Sequence, residues 1–306
     1  MKNNKKFSNK QYTISGEKRA YVNFNGLKTL WFNTGTLCNL SCKDCYIESS
    51  PRNDRLLYLS HEDVCKYLNE IETSNINCKS IGITGGEPFM NKDIIKIIST
   101  CLNKDRELLI LTNAMQPLQN KKCMLLNFQE NKNLKFRISL DHYTKEKHEK
   151  IRGKNSWDKT INGVIWLHNN NFNISIASRS LYENEKLLRK GYKNLFEQLN
   201  LNLDACNNND LVLFPEMNNL TDTPEITTAC WSLLGVNPNN LMCSNSRMIV
   251  KRKENNKTHI VACTLLPYTK EYDYGEDLNN SFKTTYLNHP HCSKFCVLGG
   301  ANCINN

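Results

Sequence analysis

A chain of 306 residues with 39% hydrophobic and 23% charged residues has the make-up of a soluble globular protein, long enough for one large domain or two modest ones. No stretch approaches the roughly 18 apolar residues of a membrane span, and the first twenty residues lack a signal peptide's apolar run, so a cytoplasmic location is expected. The formal charge of +10 is spread along the chain without a compact basic patch interleaved with aromatics, which favours a solvated lysine- and asparagine-rich surface over a nucleic-acid partner.

Residues 1–20 read as a flexible basic arm. Tyr21 to Asn25 reads as a short strand and Lys28 to Asn33 as the first core strand. Three thiols, Cys38, Cys42 and Cys45, follow within eight residues. Residues 47–59 are polar, contain Pro51, and read as a loop. Ser60-His61-Glu62-Asp63 has the form of a capped helix start, and Val64, Tyr67, Leu68 and Ile71 repeat at helical spacing behind it. Strands are then expected at Ser80 to Thr84, Leu108 to Leu111, Lys135 to Leu140, Asn173 to Ala177 and Leu211 to Phe214. Helices are expected between them, at Asp93 to Asn103, 118–127, Trp157 to Asn169 and Glu185 to Leu199.

Six short strands alternating with helices indicate parallel βαβ units in an α/β fold. They form either a partial barrel or an open doubly wound sheet, and the pattern does not choose. In a barrel, chemistry collects at the C-terminal ends of the strands. That rule singles out Cys38 to Tyr46, Gly85 to Pro88, Thr112-Asn113, Asp141 and Pro215-Glu216. Past a linker at 217–229 the alternation stops, and Met248 to Val250 and His259 to Val261 flank a polar turn as in a β-hairpin. The chain is thus expected to divide into an arm (1–20), a core (21–217) and a cysteine-rich extension (218–306).

Fourteen cysteines are many for a reducing compartment, where metal or redox chemistry is favoured over disulfides. Cys65, Cys78, Cys101, Cys123 and Cys206 are scattered and read mostly as small buried hydrophobes. For Cys38, Cys42 and Cys45 three readings compete. Structural zinc needs four ligands, with His61 the nearest further candidate. A disulfide leaves one thiol over. An iron–sulfur cluster with one unligated iron fits the count and the position after a strand.

The spacing Cys38-x-x-x-Cys42-x-x-Cys45, with Tyr46 next, resembles the signature of radical S-adenosylmethionine (SAM) enzymes. Asp44 stands where many members have an aromatic. Gly85-Gly86-Glu87-Pro88 resembles the family's Gly-Gly-Glu-Pro, Thr112-Asn113 its Thr-Asn-Gly with Ala114 in place of glycine, and Ser139-Leu140-Asp141 its Ser-Leu-Asp. Ile151-Arg152-Gly153 is a common companion of these motifs. The resemblance implies a six-stranded partial βα barrel. It implies a [4Fe-4S] cluster on Cys38, Cys42 and Cys45 with one open iron, where the amine and carboxylate of SAM bind. It also implies reductive cleavage of SAM to a 5′-deoxyadenosyl radical that takes hydrogen from a substrate, and a reductant such as flavodoxin or ferredoxin. Tyr46, Gly85, Gly86, Glu87, Pro88, Asn113, Ser139 and Asp141 become SAM-site candidates, with Arg179 facing the methionine carboxylate.

The tail resembles the SPASM or twitch extensions of this family, although the usual hairpin glycine is missing and the late spacing is not the seven-cysteine pattern. Four of Cys243, Cys263, Cys292, Cys296 and Cys303 would hold a second, auxiliary iron–sulfur cluster. Cys230 is a sixth thiol, and zinc is the alternative occupant. The implied substrate is a peptide or a small molecule. The competing functions are an RNA-modifying radical SAM enzyme and a non-catalytic iron–sulfur or zinc protein.

Overall fold

The computed structural model describes residues 5–216 and 222–300. Six parallel strands run in consecutive order, β1 (Thr29–Asn33), β2 (Ser80–Thr84), β3 (Glu107–Thr112), β4 (Leu134–Ser139), β5 (Asn173–Arg179) and β6 (Leu211–Phe214). Each pairs with the next. An order that never reverses is that of a barrel wall, and it decides against the doubly wound alternative.

The helices α1 (His61–Thr73), α2 (Ile94–Leu102), α3 (Lys145–Arg152), α4 (Trp157–Asn169) and α5 (Glu185–Gln198) connect these strands. Ser60 and Asp63 close a reciprocal capping box at the start of α1. The pleat sorts the strand residues. Leu30, Phe32, Ile81, Ile83, Leu108 and Ile110 pack with Val64, Ile71, Ile97 and Ile98 in the helix-side core. Their neighbours turn to the lumen, where the Trp31 ring lies directly over Gly82 and leaves no room for a Cβ there.

Three features differ from the sequence expectations. The helix expected at 118–127 is a series of short turns, Gln116–Gln119, Lys122–Leu125 and Leu126–Phe128, of which only Leu118 and Leu125 are buried. Helix α3 was not foreseen, because its sequence KEKHEKIR buries only His148 and Ile151. The hairpin of β7 (Ser246–Lys251) and β8 (Thr258–Val261) joins the barrel wall, β7 lying parallel to β1 with Trp31 opposite Met248.

The arm is not free over its described part. Tyr21–Val22 pairs with Thr285–Tyr286, and the Ala20 N–H donates to the Ile226 carbonyl at 2.8 Å. Arg19 is wholly buried. It forms an ion pair with buried Glu225 at 2.5 Å and donates to the Asn9, Tyr12 and Leu287 carbonyls. Residues 222–229, expected as linker, are therefore where the arm attaches, and the expected boundary falls at 217–221, outside the described residues.

Truncating one partner of a buried ion pair strands the other charge. Arg19→Met is expected to lower the unfolding free energy by about 3–5 kcal/mol, and adding Glu225→Gln should recover part of that loss. Urea denaturation of the three proteins checks both.

Candidate active site

The loops at the C-terminal ends of the six strands enclose one pocket. Cys38, Cys42, Cys45, Tyr46, Gly85, Gly86, Asn113, Ser139, Asp141 and Arg179 all line it. Glu87 and Pro88 do not. Both are buried.

The thiol loop is held from below by the glycine loop. Gly86 donates its N–H to the Gly35 carbonyl at 2.8 Å, and Glu87 donates its N–H to the Leu37 carbonyl at 3.2 Å. A Cβ on Gly86 would run into the Leu37 carbonyl, and one on Gly85 would stand 2.7 Å from the Gly35 oxygen at a φ of +145°. Both glycines thus permit close packing of backbone against the residues leading into Cys38.

Glu87 carries the clamp onward. Its carboxylate accepts from the Thr112 hydroxyl at 2.8 Å, the Asn113 N–H at 2.8 Å and the Phe89 N–H at 3.1 Å. Asn113 donates its side-chain amide to Asn39 Oδ1 at 2.9 Å. The motifs after β2 and β3 are thereby tied to each other and to the thiol loop. Glu87, expected among the SAM-site residues, is here a brace between loops.

The far side of the thiol loop meets the Ile151-Arg152 end of α3 and Arg179. Arg152 pairs with Asp141 through Nε (2.7 Å) and Nη2 (3.3 Å). The neighbouring Ile151 carbonyl accepts from the Lys43 N–H at 2.8 Å. Arg179 donates to the Lys43 carbonyl at 3.1 Å and pairs with Glu216. It faces the pocket as expected, but as part of this ion pair. Asp44, in the family's aromatic position, lies 3.9 Å from Arg179 with a positive φ of 55°.

Burial pushes the Cys38 thiol up to about 12. Burial also raises Cys42, against the opposing pull of the Arg152 cation. A bound metal would reverse this preference, because a coordinating thiol is deprotonated outright. Arg152 and Arg137 both line the pocket, and sequence reading assigned neither a role. For Arg137 the signal was present. In Lys135-Phe136-Arg137-Ile138-Ser139 the period of two places Arg137 on the same face as Ser139.

A second cavity lies in the extension. Cys243, Cys263, Cys292 and Cys296 all line it. Burial lifts Cys243 and Cys292 to about 12, and the Tyr272 hydroxyl lies 3.8 Å from Cys292 Sγ. Cys230 is turned toward Thr227 instead, its Sγ accepting from the Thr227 N–H at 3.4 Å. Cys303 lies outside the described residues.

Of the scattered cysteines, Cys78 and Cys101 are buried, whereas Cys123 and Cys206 are exposed. His61 lies beside Thr100 and Cys65, at 2.8 and 3.4 Å, and does not line the pocket of the thiol trio. Among the described residues no three His, Cys, Asp or Glu side chains converge on a single metal ion. The two thiol sets instead border open cavities. Sulfur donors of this kind suit soft or borderline metals, iron–sulfur clusters among them.

Residues 32–182 match the model of the radical SAM superfamily. Over those residues the chain is similar to radical SAM domains. The antilisterial bacteriocin subtilosin biosynthesis protein AlbA of Bacillus subtilis is 30% identical over 142 residues, 46% of this chain and 30% of that protein. A probable GTP 3′,8-cyclase of Pyrococcus horikoshii is 30% identical over 129 residues, 42% of this chain and 38% of that protein. The chain thus matches about a third of the length of these two relatives.

Among solved structures, Streptococcus suis SuiB bound to its precursor peptide SuiA superposes with a TM-score of 0.61 at 14% identity, covering 84% of this chain and 65% of that one. Native anSMEcpe with bound AdoMet gives 0.59 at 14% identity, covering 84% and 80%. At such identities the likeness is one of fold. Radical SAM domains take SAM and a [4Fe-4S] cluster, and the thiol trio at the barrel mouth is the donor set that fits them.

Burial also raises the Glu87 carboxyl, to about 7, outweighing the bonds from Asn113, Thr112 and Phe89. A carboxyl raised in the folded state takes up a proton on folding. Its contribution is present below the ordinary carboxylate pKa and is lost as pH rises through about 7. The metal-free protein is expected to lose up to about 3 kcal/mol of unfolding free energy between pH 4.5 and pH 7.5 relative to Glu87→Gln. Parallel urea titrations at the two pH values measure it.

Proposed function

We propose that this chain cleaves SAM reductively at a [4Fe-4S] cluster held by Cys38, Cys42 and Cys45, and that it modifies a peptide. The observation that carries the reading is the single pocket onto which those three thiols, Gly85, Gly86, Asn113, Ser139 and Asp141 all open. When bound, the cluster supplies the electron that breaks the sulfonium C–S bond and gives the 5′-deoxyadenosyl radical.

The chain's own residues do the rest. The glycine clamp fixes Cys38, the Ile151 carbonyl and Arg179 pin the loop at Lys43, and Arg152 and Arg179 present positive charge to an anionic group such as the methionine carboxylate. Asp141 orients Arg152. Leu111, Phe214, Leu265 and Phe295 give the pocket an apolar wall that keeps water from the reacting carbon.

The peptide assignment is supported by what the similar proteins act with. SuiB is seen with a precursor peptide, and AlbA belongs to bacteriocin biosynthesis. A small-molecule substrate is the second reading, favoured by the similarity to GTP 3′,8-cyclases. The four thiols of the second cavity would hold an auxiliary cluster, which leaves Cys303 spare. A cytoplasmic flavodoxin or ferredoxin would serve as reductant.

Anaerobic incubation of reconstituted protein with SAM and dithionite is expected to yield 5′-deoxyadenosine, and Cys42→Ala to reduce it to background. No product from the wild type would defeat the reading. Iron should total about eight per chain in the wild type and in Cys303→Ala, and about four in Cys243→Ala. A wild type holding about four would remove the auxiliary cluster.

A further inference from the structure

The two cavities share a wall. Leu265, two residues beyond Cys263, and Phe295, between Cys292 and Cys296, are both buried and line both the thiol-trio pocket and the four-thiol cavity. The segment Cys292–Val297 is wound as a π-helix, continued by the Leu298 N–H donating to the Ser293 carbonyl at 2.8 Å. Such turns are rare and concentrate at functional sites. The wide turn brings Cys292 and Cys296 to one cavity and leaves the intervening Phe295 ring free to reach the other. There it stacks on Phe214 at the end of β6, with centroids 5.5 Å apart and planes at 21°.

Just beyond, Gly299 is pressed against the same strand end. A Cβ on it would stand 2.7 Å from Pro215 Cγ and 2.5 Å from the Lys294 carbonyl. The ring is therefore fixed on one side by the flanking cysteines and on the other by the barrel, with no slack between them.

We propose that Phe295 is a positioning residue that sets the wall of the SAM pocket, and that ligation of Cys292 and Cys296 determines where this wall stands. The proposal rests on the reading of the four-thiol cavity as a cluster site. It makes the second site act on the first through a side chain that ligates nothing.

The test uses the full-length chain reconstituted anaerobically, as wild type, Phe295→Ala, Phe295→Leu and Cys292→Ala. Three quantities are read: iron per chain, the electron paramagnetic resonance spectrum of the reduced protein with and without SAM, and the dissociation constant for SAM. Phe295→Ala is expected to keep the wild-type iron content, to bind SAM about five- to tenfold more weakly, and to show an altered SAM-induced spectral change. Phe295→Leu should be intermediate. Cys292→Ala should lose about half the iron and show the same weakened SAM response as Phe295→Ala.

Wild-type SAM response in Phe295→Ala or in Cys292→Ala overturns the proposal. So does a fall of iron in Phe295→Ala to the Cys292→Ala level, because the ring would then only brace the ligand segment. A wild type with about four irons, unchanged in Cys292→Ala, overturns instead the cluster reading on which the coupling depends.

Discussion

The site depends on one close contact, that of the Gly85-Gly86 backbone with the residues entering the thiol loop. Three thiols on a loop of eight residues have no regular secondary structure to hold them. Their geometry must be imposed by hydrogen bonds from outside. The Gly86 and Glu87 N–H groups supply these to the Gly35 and Leu37 carbonyls, in an approach that a Cβ on Gly85 or Gly86 would block. The buried Glu87 carboxylate extends the contact to Thr112 and Asn113, and Asn113 returns to Asn39 within the thiol loop. Three loops from three strands thereby close a ring of bonds. A fault in any one of them would be felt at the cysteines.

The opposite side of the loop is held at Lys43 by the Ile151 carbonyl of α3 and by Arg179 of β5. Arg152 and Arg179 are each matched by a carboxylate, Asp141 and Glu216. Removing cations from water is costly unless they are paired. Pairing leaves both guanidinium groups oriented at the pocket rim, where an anionic ligand meets them already in place.

Most strands were legible in the sequence because each is a short apolar run bounded by turn residues. The thiol trio, the glycine loop and the Ser-Leu-Asp motif were legible because they fall at strand ends in order. Helix α3 was not, since a helix that buries two side chains in eight leaves no apolar period to detect. The part played by Arg152 was hidden with it. The bracing by Glu87 was not legible because its partners, Thr112 and Asn113, lie 25 and 26 residues away in sequence and one strand away in space. The hairpin was recognised, but a strand's pattern does not name its neighbour, and its place beside β1 came only with the fold. The docking of the arm through Arg19 was equally hidden, because a single basic residue among many carries no sign of burial.

The polar lumen explains why the extension is part of the working unit. A closed parallel barrel fills its interior with layers of bulky branched side chains. Here the inward positions near the mouth are Thr84, Ser139, Ala177 and the glycines of the second loop, too small to fill the space, with Arg137 buried among them. The result is a hollow rather than a core. A hollow at a strand end is open to water unless something covers it, and water there would weaken every charge interaction in the site. The cover comes from the other end of the chain, as Leu265 and Phe295. Both are carried on segments bounded by the late cysteines and anchored by the hairpin beside β1. The small residues at the mouth and the aromatic wall over it are two halves of one device, and neither would be useful alone.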